Sequence, residues 1–185
     1  MRKSLGVLLA VGMLTSMIAI GAAPAGAAGG TVCKTLVSVG TITPGLPPLS
    51  STKTAAKVVT KATGTFGGCT GGGVTSGAFK LASVPASTPG NCKSLLSANK
   101  PGAKNTSGTG SITWKPKGSS TFTFQLLKSV PAGVTQTFSA TITGGLFKGS
   151  KATQKFSFAA VPKTGCVSTP LVKVAVTAKS TLVIK

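Results

Sequence analysis

Apolar and polar residues alternate with a period of two along most of this chain. The alternation is clearest at 121–126 and 137–142, where apolar residues take the even positions and Thr, Ser or Gln the odd positions. This pattern is typical of β-strands with one buried face and one face in solvent. It is also present at 56–66, 112–114, 156–158 and 171–184. We therefore predict strands in all of these segments.

Gly, Pro, Asn and Ser cluster between the alternating segments, and no segment shows the 3.6-residue period of an amphipathic helix. Strands joined by turns, without helices between them, favour an antiparallel all-β fold. We predict a single antiparallel β-sandwich or flattened barrel with its aromatic residues in the core. Segments 44–48 and 100–110 are predicted to be the longest loops, and the second contains the glycosylation sequon Asn105-Thr106-Ser107.

The segment 1–27 has the pattern of a secretory signal peptide. Arg2 and Lys3 precede an apolar stretch at 5–20, and Ala25-Gly26-Ala27 is a small-residue cleavage site. The apolar stretch is shorter than the about 20 residues that a transmembrane helix needs, so we predict no transmembrane anchor. Segment 28–185 is then a single secreted β domain, and a chain of that length can bury one core.

The four cysteines are Cys33, Cys69, Cys92 and Cys166. An even number of cysteines in an exported chain predicts two disulfides. Of the three pairings, we favour Cys33 with Cys69, which flank an early strand-and-turn unit, and Cys92 with Cys166, which tie the last strands to the middle. A zinc site is the alternative, but the sequence has no CxxC pair and no His to build one.

The chain contains no Asp, Glu, His or Tyr, and this absence narrows the function classes. General acid–base catalysis draws mainly on these residue types, and calcium or magnesium sites usually require carboxylate oxygens. We therefore predict no catalytic residues, no metal and no cofactor, so the protein is not expected to be an enzyme.

Two motifs suggest chemistry but have simpler explanations. Segments 50–53, 97–99 and 163–165 match the S-x-x-K, S-x-N and K-T-G motifs of penicillin-recognising serine acyltransferases. Ser and Lys are frequent enough here to give such matches by chance, and no Glu exists for deacylation. The glycine-rich segment 67–73 lacks the Gly-Lys-Ser/Thr ending of a phosphate-binding loop, so we predict a wide turn held by Cys69.

Charge is the remaining indication of function. Loss of Arg2 and Lys3 with the signal peptide leaves 18 lysines of the 20 basic residues, with no arginine and no acidic residue. Lys53, Lys57 and Lys61 are spaced so that they share a face on either a strand or a helix, and they are our candidate anion-contacting residues. The candidate partners are anionic cell-wall polymers, acidic glycans and anionic lipid. Nucleic acid is expected to bind only non-specifically, because bidentate recognition by arginine is absent.

The order of turn glycines, strand ends and cysteines carries further information. The motifs are Pro44-Gly45-Leu46, 64–69, Ser76-Gly77, 92–96, 112–114, 119–122, 145–149, Cys166 and 182–184. In this order the chain resembles small secreted actinobacterial β-domain proteins of uncharacterised function, over nearly the whole of its mature length. The resemblance implies a secreted β-domain and brings no functional residues with it. This sequence departs from the pattern in lacking acidic residues entirely.

Two hypotheses of function follow. We favour a non-catalytic, secreted, cationic β-module, extracellular or cell-wall associated, that associates electrostatically with anionic envelope or extracellular polymers. The alternative is a passive extracellular structural protein, adapted to an acidic habitat and without a specific ligand. Salt-sensitive binding to envelope polymers separates the two, because only the first hypothesis requires it.

Overall fold

The computed structural model describes residues 30–85, 90–93, 104–128, 135–157, 159–161 and 164–185. The predicted signal peptide at 1–27 lies outside these residues. Within them the chain forms nine β-strands. These are β1 (Thr31–Leu46), β2 (Val59–Gly67), β3 (Ser76–Ser83), β4 (Lys104–Lys115), β5 (Ser119–Lys128), β6 (Thr135–Gly145), β7 (Lys151–Ser157), β8 (Ala159–Val161) and β9 (Leu171–Ile184).

The strands form one antiparallel sheet that closes into an eight-stranded barrel. Each strand from β1 to β7 pairs with the next one along the chain, β7 pairs with the end of β9, and β9 pairs back to β1. The short β8 pairs with the first half of β9. The prediction of an antiparallel all-β fold is confirmed, and the barrel is the correct one of its two alternatives. Closure removes the edge strands that a sandwich would keep.

The barrel interior is filled by the apolar side chains of the alternating strands. Its buried aromatic residues are Phe66, Phe79, Trp114, Phe122 and Phe124. The indole nitrogen of Trp114 donates to Ser120 Oγ at 2.9 Å, and Ser120 Oγ donates in turn to the carbonyl oxygen of Leu146. These bonds satisfy the indole nitrogen of Trp114 and the hydroxyl of Ser120, whereas the buried Thr31 Oγ1 has no hydrogen-bond partner among the described residues. The prediction that aromatic residues lie in the core is confirmed for these five.

A disulfide lies towards each end of the barrel. Cys33 at the start of β1 is bonded to Cys69 in the β2–β3 connection. Cys92 is bonded to Cys166 at the opposite end, within a second apolar cluster that includes Leu46 and Leu171. Both bonds follow the pairing expected from the sequence. They join residues 36 and 74 positions apart, so each closes a long loop of the unfolded chain.

The end of the barrel that holds Cys33 and Cys69 is packed around Phe147. This residue lies in the β6–β7 turn with a φ of 63°, and its ring contacts the indole of Trp114 edge-on at 5.5 Å between centroids. Gly72 has a φ of 58°, and a Cβ there would lie 2.5 Å from the Phe147 ring. Glycine is therefore required at position 72 both by its backbone conformation and by the close approach of the ring.

Two expectations about strand boundaries are wrong, and one strand was not predicted. β1 continues to Leu46 through part of the predicted loop at 44–48. β4 begins at Lys104, so sequon residues 105–107 belong to a strand. The alternation does not predict β1, the longest described strand, because an irregularity between Cys33 and Thr35 shifts its parity and because Val37 and Val39 place apolar side chains on the outside.

Candidate functional site

The outer face of β2 to β5 carries two parallel rows of side chains that cross the strands. The first row, named here the Lys80 row, consists of Thr63, Lys80, Ser111 and Thr121, which are successive partners across the four strands. All four side chains are exposed. Thr121 Oγ1 forms a hydrogen bond with Thr143 Oγ1 on β6 at 3.2 Å, which extends the row to a fifth strand.

The second row, named the Lys61 row, consists of Lys61, Ala82, Thr109 and Thr123, again successive partners across β2 to β5. Three of these side chains are exposed, and Ala82 is half-buried. The two rows are two residues apart along each strand, which corresponds to about 6.7 Å. Neighbouring positions within a row are separated by one strand spacing, about 4.8 Å.

A shallow groove with a volume of about 580 Å³ lies between the two rows. Both rows line it, and so does a middle row formed by Leu81, Gly110 and Phe122 in the same register. The side chains of the middle row point into the barrel, so the groove has main chain as its floor. We call this surface the hydroxyl groove. Because it follows the rows, its long direction crosses the strands.

Gly110 holds the floor of the hydroxyl groove in place. A Cβ at this position would lie 2.3 Å from the ring of Phe122 and 2.6 Å from the carbonyl oxygen of Lys80. The Phe122 ring therefore covers the inner side of Gly110, an arrangement that also stabilises strand glycines in other sheets. Any side chain at position 110 would displace β4 and disturb both rows.

The hydroxyl groove combines positive charge with neutral hydroxyl groups. Lys61 and Lys80 lie on adjacent strands at the same end of the groove, one in each row. The sequence has no side-chain carboxylate, so neither ammonium group has an acidic side chain to neutralise it. The Ser and Thr hydroxyls that line the rest of the groove can each donate and accept hydrogen bonds. The site can therefore offer two cations and several hydroxyls to one extended ligand.

Of the three lysines predicted to contact anions, only Lys61 lies in the hydroxyl groove. β2 begins at Val59, so Lys53 and Lys57 lie in the segment before it, and both are exposed. Lys57 has a φ of 53°, and the main-chain nitrogen of Lys53 donates to Ser51 Oγ at 3.1 Å. The expectation that the three lysines share one face of a strand or helix is wrong, because only Lys61 lies in a regular element. Their contact with anions stays a prediction.

Sequence reasoning missed most of the groove residues. The alternation at 121–126 predicts that Thr121 and Thr123 point outward, but it does not show which strands lie beside β5. Thr109 was not predicted to lie on a strand, because the glycines at 108 and 110 made that segment resemble a loop. A period of two does continue through 107–115, with glycine at positions where a large apolar residue would be expected. This pattern could have predicted a strand with Thr109 on its outer face.

Neither of the two suggestive motifs forms a site among the residues described. Ser50 and Lys53 follow β1, whereas 97–99 and Lys163 lie outside the described residues. The glycine-rich segment 67–73 completes β2 and forms most of the β2–β3 connection, with Cys69 bonded to Cys33, and the predicted wide turn is confirmed. Where the structure describes the chain, no cluster of His, Cys, Asp or Glu could hold a metal ion.

Comparisons with known proteins do not change this picture. No protein-family model matches the chain, and no curated protein or solved structure matches it. Over the described part of the chain, no helix has the length and apolar character to cross a membrane. The hydroxyl groove is therefore interpreted from its own geometry.

Proposed function

We propose that the protein is a secreted, non-catalytic module that binds anionic envelope or extracellular polymers in the hydroxyl groove. The observation that carries this proposal is the position of Lys61 and Lys80, which lie diagonally opposite each other on adjacent strands at one end of the groove. The other positions of the two outer rows are Thr, Ser and one Ala. An open groove that crosses several strands accommodates a segment of a long chain.

The overall charge supports the same proposal. A protein with 18 mature lysines and no acidic side chain has a large positive net charge, and such a charge concentrates anionic polymers near its surface. The groove then provides a place where two charges and several hydrogen bonds act on the same stretch of polymer. Lysine acts as a compact point charge, so phosphate, sulfate and carboxylate groups are all acceptable ligands.

Export is part of the proposal and has two supports. Disulfides persist in oxidising compartments, and both cysteine pairs of this protein are bonded. The signal-peptide pattern at 1–27 is the second support. The resemblance to secreted actinobacterial β-domains agrees with both.

The test compares two double variants of the mature protein that lose the same charge. K61Q/K80Q removes both cations of the hydroxyl groove. K117Q/K148Q removes two exposed lysines from the β4–β5 and β6–β7 turns, outside the groove. Binding to heparin, polygalacturonate and wall teichoic acid is measured by calorimetry across a range of salt concentrations. Thermal melts establish that both variants fold.

The affinity of the wild-type protein should fall linearly in log salt. K61Q/K80Q should lower the affinity about tenfold and reduce the slope of log affinity against log salt by about two. K117Q/K148Q should change the affinity by about twofold or less. A third double variant, K53Q/K57Q, measures how much the other two predicted anion-contacting lysines contribute to the affinity. Equal losses in all three variants would show that charge acts without a site. Absence of binding at low salt would instead favour the passive structural protein.

A further inference from the structure

We propose that the ligand of the hydroxyl groove is a linear acidic polysaccharide that lies across the strands. Its charged groups contact Lys61 and Lys80, and its sugar hydroxyls bind along Thr109, Thr121 and Thr123. This inference rests on the proposed function and adds to it the class of polymer and the direction of the polymer chain.

The direction follows from the register of the strands. Lys80, Ser111 and Thr121 are successive partners in one row, and Thr109 and Thr123 are partners in the other. The groove runs between these rows, so a polymer in it meets a new pair of side chains at each strand, about every 4.8 Å. One strand spacing is close to the length of one sugar unit in an extended polysaccharide. Successive sugars can therefore stay in step with successive strands, with the first two beside the lysines of β2 and β3 and the next two beside the hydroxyls of β4 and β5.

The side chains of the groove suit a polyhydroxylated ligand. A hydroxyl group both donates and accepts, so it can pair with either function of a sugar hydroxyl. Threonine is β-branched and has few rotamers, so it loses little conformational freedom when a ligand binds. Its methyl group can contact the apolar C–H face of a sugar ring. The two rows place such groups on both sides of the polymer.

Other polyanions fit the groove less well. Single-stranded nucleic acid is usually bound by aromatic side chains that stack on the bases. The aromatic residues of β2 to β5 are all buried in the barrel: Phe66, Phe79, Trp114, Phe122 and Phe124. Anionic membranes are bound through exposed apolar side chains together with basic ones, and neither outer row contains a large apolar residue. An acidic polysaccharide needs only the charges and hydroxyls that are present.

The test separates hydroxyl recognition from charge. The variant T109V/T121V/T123V removes three exposed hydroxyls from the groove and keeps side-chain size, strand preference and charge. The control T35V/T65V/T177V makes the same change at three exposed threonines on β1, β2 and β9, away from the groove. The two probes are polygalacturonate and poly-L-glutamate, both linear polycarboxylates, of which only the first has sugar hydroxyls.

Wild-type protein should bind polygalacturonate more tightly than poly-L-glutamate at equal carboxylate concentration and equal salt. The groove variant should lose at least about tenfold in affinity for polygalacturonate, because each hydrogen bond contributes about two- to tenfold. Its affinity for poly-L-glutamate should stay within about twofold. The control should match the wild type with both polymers. K61Q/K80Q should lower the affinity for both polymers by the same factor.

Several results would overturn the inference. Equal wild-type affinity for the two polymers, tighter binding of single-stranded DNA, or an unchanged polygalacturonate affinity in the groove variant would each exclude recognition of sugar hydroxyls. If K61Q/K80Q still weakened binding in those cases, the proposed function would survive and only the polysaccharide would be excluded. If K61Q/K80Q had no effect, the proposed function would fail as well. Should the triple variant not fold, the single substitution T123V is measured, with an expected loss of about two- to tenfold.

Discussion

The outer surface of the barrel differs in chemistry between the strands of the groove, β2 to β5, and the adjoining strands β1 and β9, named here the valine side. On β2 to β5 the outward positions are mainly Thr, Ser and Lys, and they border the hydroxyl groove. On β1 the outward positions include Val37 and Val39, each 51% exposed, which are paired on β9 with Thr177 and Ala175. Both regions consist of antiparallel strands of the same closed sheet. Barrel closure therefore does not require hydroxyls outside, and the chemistry of the groove is separate from the requirements of the fold.

The largest effect on stability is expected at strand glycines that face the barrel interior. We compare Gly110 in the groove with Gly40 on β1. A Cβ at Gly110 would lie 2.3 Å from the Phe122 ring, whereas a Cβ at Gly40 would lie 3.0 Å from Val174 Cγ2. G110A should therefore cost about 1–3 kcal/mol of unfolding free energy, a typical result of overpacking. G40A should cost less than about 0.5 kcal/mol, because Val174 can shift and because alanine is favoured over glycine in strands.

Urea denaturation of both glycine variants measures the difference. G110A should also weaken polymer binding, since it disturbs the floor of the groove, and G40A should not. If G40A proved to be the more destabilising change, the floor of the groove would have no special packing.

A second comparison asks whether binding depends on local or total charge. K61Q/K80Q and V167E/V172E each lower the net charge by two, the first inside the groove and the second at exposed valines in and just before β9. We expect about a tenfold loss of polymer affinity for the lysine variant and about twofold for the valine variant. Calorimetric titration with one acidic polymer at one salt concentration is sufficient. Equal losses would mean that the two sides are equivalent in binding.

A smaller effect is expected when the valine side is given the chemistry of the groove side. V37T/V39T replaces two exposed valines by threonines on a strand that is paired on both sides. The unfolding free energy should change by less than about 0.5 kcal/mol, as for most surface substitutions. Thermal unfolding measures it. A loss above 1 kcal/mol would show that the valines stabilise the closed barrel and that the two sides are not interchangeable.

The smallest effect is expected from pH. With no Asp, Glu or His and with all cysteines bonded, only the chain termini titrate between about pH 3 and pH 9. Acid unfolding requires carboxylates or buried histidines, so the melting temperature at pH 3 and pH 7 should agree within about 2 °C at fixed ionic strength. Both sides of the barrel keep their charge over this range.

Polymer binding extends the pH comparison to the ligand. Binding to heparin, whose sulfate groups stay ionised, should persist at pH 3. Binding to polygalacturonate should weaken as its own carboxylates are protonated. Loss of heparin binding at pH 3 would contradict the view that lysine ammonium groups alone provide the charge.

The sequence predicts the fold better than it predicts the site. Alternation at 121–126 and 137–142 identifies β5 and β6 because one face of each strand is buried and the other is not. β1 escapes prediction for the opposite reason, since Val37 and Val39 are apolar on the outer face and an irregularity follows Cys33. The second half of β4 is predicted by the alternation at 112–114, but its first half is not, because Gly108 and Gly110 stand where large apolar residues would be expected. The space at these glycines is filled by Phe124 and Phe122 from β5.

The hydroxyl groove depends on the register between strands, which a single sequence does not contain. Lys61 was a candidate because of its spacing from Lys53 and Lys57, but its relevant neighbour is Lys80 on β3, 19 residues away along the chain. Pairing of Lys80 with both Thr63 and Ser111 decides which side chains form a row. A one-residue change in register would send every one of these side chains to the other face of the sheet.

Closure of the barrel by β1 and β9 also has a consequence for the order of folding. Closure pairs Thr31 with Ile184, so the barrel is complete only when the first and the last described strands have come together. Contacts between such distant residues form slowly, because a long segment of chain must be ordered to bring them together. Until β9 is in place, β1 has an open edge beside Val37 and Val39, and such an edge promotes association with other chains. The strand that completes the barrel therefore also ends the interval in which this protein is prone to aggregate.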